Sequence, residues 1–229
     1  MSLHASIVIP ALNAETSLGR TLEALTREPV AGTVEIIVVD GGSDDATTAV
    51  ANEYGARVLQ APRGRGHQLA RGAEEARGEW LLFLHADTVP EPGWGEALAS
   101  FAAVPENAGR AGVFRFALDD PSPAARRLER IVAWRTQVMA LPYGDQGLFL
   151  SRAFYHALGG FRPLALYEDV DLIRRIGRRG FAILDVRAVT SAARYRGPGY
   201  PIRSARNLCC LALYFLGVPP RAIARLYGR

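Results

Sequence analysis

IVIPALNAE (Ile7–Glu15) and EIIVVDGGSDD (Glu35–Asp45) decide the architecture. Each opens on a β-branched run, Ser6–Ile9 in the first and Glu35–Val39 in the second, and closes on polar, turn-forming residues. Between them, Ser17–Thr26 repeats apolar side chains at helical spacing, so the three pieces read as a β-α-β unit. The alternation continues outward with a helix over Asp45–Tyr54, a strand over Ala56–Leu59, a helix over Gln68–Ala76 and the apolar strand Trp80–Leu84. That order implies an α/β fold with a largely parallel sheet covered by helices on both faces.

Beyond His85 the rhythm changes. A helix is expected around Trp94–Ala103, a strand near Val113–Leu118 and a long helical stretch over Ala124–Met139. A short strand Gly147–Leu150, helices from Ser151 and near Glu168, a strand Ala182–Leu184 and an apolar C-terminal segment follow. The 229 residues suffice for a substantial core, and no linker or internal repeat divides them, so one domain is expected.

Composition excludes more than it selects. All 27 basic residues are arginine, and without lysine, Schiff-base and lysine-nucleophile chemistry is ruled out. Arginine suits bidentate phosphate contact, but genome composition produces the same bias, and no nucleic-acid motif or aromatic-basic stripe accompanies it. Nucleic acid is therefore not an expected partner. Cys209 and Cys210 are adjacent in an apolar run, a spacing that fits neither disulfide nor metal site and implies reduced, buried thiols. The opening MSLHASIVIP lacks the charged region and long apolar stretch of a secretory signal, so a cytoplasmic location is expected. LCCLALYFLGV (Leu208–Val218) is too short to span a bilayer. Flanked by Arg203, Arg206, Arg221 and Arg225, it either lies on the inner face of an anionic membrane or packs against the domain or a second subunit.

Three polar stretches end the first, second and fourth strands: PALNAE (Pro10–Glu15), DGGSDD (Asp40–Asp45) and HADT (His85–Thr88). They converge on one sheet edge, where open sheets of this type bind ligands. Asp40, before Gly41 and Gly42, is placed to accept hydrogen bonds from a ribose or base, because glycines admit close approach; Ser43 or Asp45 caps the next helix. Asp87 leaves a buried strand into a loop, and can bind a hard divalent cation while water and phosphate supply the other oxygens; an Asx-turn before Pro90 is the alternative. GDQG (Gly144–Gly147) and EDVD (Glu168–Asp171) add two acidic clusters. Carboxylates at a helix start are kept ionised by its dipole, ready to take a proton from a hydroxyl held in line. Capping is the competing reading, and Asp171 is expected on a solvated face.

From about Ser6 to Gly180 the chain resembles the family 2 glycosyltransferases of the GT-A fold, in particular compact single-domain bacterial members. IVIPALNAE looks like the opening strand and nucleotide loop, VVDGGSDDAT like the second strand, FLHADT like the aspartate-x-aspartate site and YEDVDL like the catalytic acidic motif. The resemblance implies a Rossmann-like mostly parallel sheet, a nucleotide-binding half (1–90), an acceptor and catalytic half (91–200) and a C-terminal helical segment (201–229). It implies inverting transfer of a hexosyl-type sugar from a nucleotide-diphosphate donor to an unidentified acceptor, lipid-linked if the C-terminal segment meets a membrane. Pro10, Ala11, Asn13 and Glu15 would border base and ribose, and Asp40 with Gly42 the nucleoside. Ala86 and Asp87 would meet the diphosphate, with Asp87 holding a divalent metal, Mg2+ or Mn2+. Asp169 would be the general base, with Glu168 and Asp145 shaping the acceptor side.

The chain departs from that pattern at two places. His85 stands where the metal motif carries its first aspartate, and Leu69-Ala70 where an Arg-Asn pair often precedes the third helix. Arg65 in APRGRGHQ, with Gln68 beside it, could restore the positive charge; a solvated Arg63 and Arg65 is the alternative. No Gln-x-x-Arg-Trp motif occurs, as in single-addition rather than processive members. Among rivals, a sugar-phosphate nucleotidyltransferase would carry a Gly-rich loop where PALNAE stands, and a dehydrogenase would carry G-x-G-x-x-G. An inactive nucleotide-sugar binder or scaffold is suggested by His85 and opposed by Asp87 and Asp169.

Overall fold

Strand β1 (Leu3–Ala11) shows in the computed structural model why the opening run is apolar but for exposed His4 and buried Ser6. The structure describes residues 2–196 and 199–227; Gly228 and Arg229 of the C-terminal segment lie outside the described residues. Strand periodicity sends Leu3, Ala5, Ile7 and Ile9 to one face, against Leu18, Leu22 and Leu25 of α1 (Glu15–Arg27). Val8 goes to the other, against Leu69 and Ala73 of α3 (Arg65–Glu75). A strand buried on both faces can hold no polar alternation.

β1 pairs in parallel with β2 (Gly32–Asp40) and β4 (Trp80–Phe83), and β3 (Arg57–Gln60) adds in parallel beyond β2. α2 (Thr47–Glu53) connects β2 to β3. The register sets Ala11 opposite Asp40, so the ends of β1 and β2 finish level. Past β4 the sheet turns mixed: β7 (Leu148–Ser151) runs antiparallel to both β4 and β6 (Ala111–Leu118), and β8 (Phe181–Thr190) runs parallel to β6. The eight strands lie in the order β3-β2-β1-β4-β7-β6-β8-β5, with β5 (Thr88–Pro90) antiparallel to β8 at the edge. α4 (Trp94–Ala102) covers the α1 face through Trp94, Leu98 and Phe101. α6 (Arg152–Ala157) and α7 (Glu168–Ile176) join α3 on the other through Tyr155 and Leu172.

Several expectations are corrected. The strand expected over 182–184 runs to Thr190, because exposed Ile183, Asp185 and Arg187 alternate with buried Leu184, Val186 and Ala188, a one-sided strand without an apolar run. The helical stretch expected to Met139 does reach it, but α5 (Pro123–Trp134) widens into a π-helix over Arg135–Met139, and the chain leaves it at Ala140, in the left-handed region at φ 50°. α3 begins at Arg65, three residues before the expected Gln68. Asp171 is not solvated: it lies 14% exposed between Arg175 (2.6 Å) and Arg162 (3.2 Å). Cys209 is exposed and only Cys210 buried.

The C-terminal segment forms α8 (Ala193–Arg196), α9 (Tyr200–Phe215) and α10 (Pro220–Tyr227). Cys210 of α9 packs with Leu166 and with Ile223 and Ala224 of α10. Among the described residues no helix is long and apolar enough to cross a membrane.

Candidate active site

The loops after β1 and β2 are laced to each other. Asn13 adopts the left-handed region (φ 48°), which asparagine tolerates better than most residues. Its amide donates to the Ser43 hydroxyl (2.9 Å) and its side-chain oxygen accepts from the Asp44 amide (2.9 Å). Glu15 accepts from the Ala46 amide (2.9 Å), while its own amide donates to Asp45 (3.2 Å). Asp45 also accepts from the Thr47 amide (3.0 Å), but the cap position of α2 is Ala46, which has no side-chain oxygen, so neither Ser43 nor Asp45 is the N-cap that was expected. Asp40, 2% exposed, accepts from the amides of Gly42 (3.0 Å) and Ser43 (3.1 Å) and from the Ser43 hydroxyl. Burial alone would raise its carboxyl pKa, but these hydrogen bonds outweigh it and hold the group below its ordinary value.

Two cavities open along this edge. The larger, about 600 Å³, is lined by Pro10, Ala11, Asn13, Gln68, Ala86 and Asp87 among others. Asp40, Gly42 and Glu15 are not among its lining residues; they set the shape of the loops that border it. Gln68 is 2% exposed and donates to the carbonyls of Ala11 (2.7 Å) and Val39 (2.8 Å), fastening the first turn of α3 to the ends of β1 and β2. That fastening places Arg65, the first residue of α3, at the cavity.

The second cavity, about 140 Å³, takes in Tyr143, Asp145, Asp169 and, from α9, Arg203, Asn207 and Leu211. Arg65, His85, Asp87 and Arg194 line both cavities and form their common wall. Arg65 reaches buried Glu168 through Nε (2.8 Å) and His85 Nε2 through Nη1 (3.2 Å). Glu168 thus anchors Arg65 and is not among the residues lining this cavity. The Asp87 carboxylate lies 3.6 Å from Arg194. Asp169 accepts from the Gly144 amide (2.9 Å) and from the Val170 amide (2.8 Å). A Cβ on Gly144 would stand 2.6 Å from His85 Nε2 and 3.2 Å from Asp169 Oδ2, so only glycine lets this segment close over the pair.

Asp145 sits on the short turn Gly144–Gln146, and its Oδ1 is buried without a hydrogen-bond partner. Burial pushes its pKa up to about 6; Arg135 opposes the rise, while Asp169 and Asp87 add to it. A buried carboxylate oxygen without a partner, on a residue that lines a cavity, is a group waiting for a donor. Asn207 Oδ1 is likewise buried without a partner. Arg135, whose guanidinium lies 3.6 Å over the Tyr143 ring, and the α9 residues were missed in the sequence reading. The signal for the latter was the spacing Arg203, Asn207, Leu211, one helix face within an apolar stretch.

Among the described residues no three His, Cys, Asp or Glu side chains gather as a metal cage. A single carboxylate such as Asp87, open to a large cavity, suits a hard cation that keeps most of its coordination for water and phosphate oxygens.

The arrangement of this sheet is that of GT-A glycosyltransferases. Staphylococcus aureus TarS (residues 1–349) in complex with UDP superposes with a TM-score of 0.63 at 18% identity, over 83% of this chain and 61% of that one. Glucosyl-3-phosphoglycerate synthase from Mycobacterium tuberculosis, in complex with Mn2+, UDP and glucosyl-3-phosphoglycerate, gives 0.64 at 23% identity, over 95% and 81%. More particularly, the chain belongs to glycosyl transferase family 2, whose profile matches residues 6–162. It is 38% identical over 89 residues to a PGL/p-HBAD biosynthesis glycosyltransferase of M. tuberculosis, 36% of this chain and 34% of that protein. It is 40% identical over 102 residues to the dolichyl-phosphate β-glucosyltransferase of Drosophila melanogaster, 38% and 31%. These alignments span about a third of each relative's length.

Proposed function

We propose that the chain is an inverting glycosyltransferase that takes a sugar from a nucleotide diphosphate in the larger cavity and gives it to a hydroxyl in the smaller one. The observation carrying this reading is the common wall: Asp87 lies at the border of both cavities, with Asp169 and Asp145 on one side and the nucleotide loops on the other. Asp87 would hold a divalent cation, magnesium or manganese, whose charge neutralises the leaving diphosphate. Arg65, steadied by Glu168, adds a second positive charge beside His85.

Asp169 accepts the proton of the acceptor hydroxyl as its oxygen bonds to the anomeric carbon and the bond to the diphosphate breaks, the electron pair leaving with phosphate. Attack opposite the leaving group inverts the anomeric configuration, and no covalent enzyme intermediate forms. The UDP and Mn2+ held by the structural relatives make uridine diphosphate the first nucleotide to try.

Calorimetric titration of UDP, GDP, CDP and dTDP, each with and without manganese, tests the reading without the acceptor. One nucleotide is expected to bind with metal dependence that Asp87→Ala removes. Binding of none would leave an inactive scaffold as the better description.

A further inference from the structure

α9 is apolar on two sides. Its inward side sets Arg203 and Asn207 at the cavity and packs Cys210, Leu213 and Tyr214 against Leu166 and α10, while its outward face is apolar apart from Arg206. Ile202 is 66% exposed, Leu208 68%, and Leu216, just past its end, 80%. Ala205 and Ala212 fall between them at helical spacing, and between Ile202 and Leu216 the one exposed charged residue is Arg206. α10 adds exposed Leu226 with exposed Arg221 and Arg225. α5, which contacts α9, leaves Ile131 and Trp134 more than half exposed.

Charge decides what covers this face. No aspartate or glutamate follows Asp185 in the sequence, whereas arginine recurs to the end. A two-fold contact sets the same patch against itself, so a second copy seated here would oppose arginines to arginines without acidic partners. An anionic bilayer supplies an apolar layer for the leucines and phosphates for the arginines, and tryptophan favours the same boundary. We infer that the outward face of α9, with the arginines of α10, docks the protein in the plane of an anionic phospholipid surface. α9, at 16 residues, would lie flat along about 24 Å of it without crossing.

Sedimentation of the full chain with vesicles tests this, comparing phosphatidylcholine alone with equal parts phosphatidylcholine and phosphatidylglycerol. The protein is expected to pellet with the anionic vesicles and far less with the neutral ones. Leu208→Glu combined with Leu216→Glu should lower the partition coefficient about ten-fold or more. Arg221→Glu with Arg225→Glu should lower it and remove most of its salt dependence. Both double variants should bind nucleotide as the parent does, a readout that separates docking from the catalytic reading. Failure of the parent to prefer anionic vesicles overturns the inference, even if a variant does not fold. So does a dimer in sedimentation equilibrium that the leucine variants split while vesicle binding is unchanged.

Discussion

The Asp145 carboxyl titrates near 6, against an ordinary value of 3.8, because its Oδ1 is shut away from water beside Asp169 and Asp87. An acid that holds its proton more tightly when folded leaves stability unchanged below about pH 4, lowers it as pH rises from there toward 6, and costs a constant amount above that. At roughly 1.36 kcal/mol per pH unit the cost is at most about 3 kcal/mol. Asp145→Asn, measured by thermal unfolding with chelator present, should therefore melt above the parent at pH 8 and level with it near pH 4. An equal difference at both pH values would refute the assignment. Asp169 lies at the same cavity and, on the proposed function, has a different task, taking the proton. Asp169→Asn should keep nucleotide affinity within a few fold while transfer falls by about 100-fold or more, read by product formation once an acceptor is found. Unchanged turnover would remove Asp169 from its role as base.

At the scale of elements, α3 lies so close to β1 that Gly72 is the only residue its place admits. A Cβ there would stand 2.3 Å from Val8 Cγ1 and 3.0 Å from Val39 Cγ2, both on stiff β-branched side chains of buried strands. Gly72→Ala gains up to about 1 kcal/mol of helix propensity but should lose about 1–3 kcal/mol to overpacking. A net fall in the urea midpoint is expected; a rise would mean that the helix moves freely. The same closeness explains what was legible in the sequence. β1, β2 and β4 are buried on both faces, so their pattern is local and could be read directly. β8 is buried on one face, and its local signal is the alternation Leu184-Asp185-Val186-Arg187-Ala188 rather than an apolar run, while β5 is three residues long and carries no local signal.

The whole molecule brings together what no motif connects. The strand-end positions of Pro10, Asn13 and Asp87 and the helix-start position of Asp169 could be read because each adjoins a local pattern. The anchoring of Arg65 by Glu168, the fastening of Gln68 across two strand ends and the lacing of Glu15 to Ala46 join residues far apart in sequence, through side-chain geometry. So does the contribution of α9, whose Arg203, Asn207 and Leu211 become part of a cavity only once the helix is folded back on it.

The common wall bears on the order of events. Arg65, His85, Asp87 and Arg194 belong to both cavities, so an anion arriving on one side changes the charge felt on the other. On the proposed function, turnover follows a compulsory order: donor enters first, acceptor second, and the spent nucleotide departs last. Initial-rate lines drawn at several donor concentrations should then intersect, and the released nucleotide should inhibit competitively against donor but not against acceptor; parallel lines would point to a ping-pong cycle in which the two chambers work in turn.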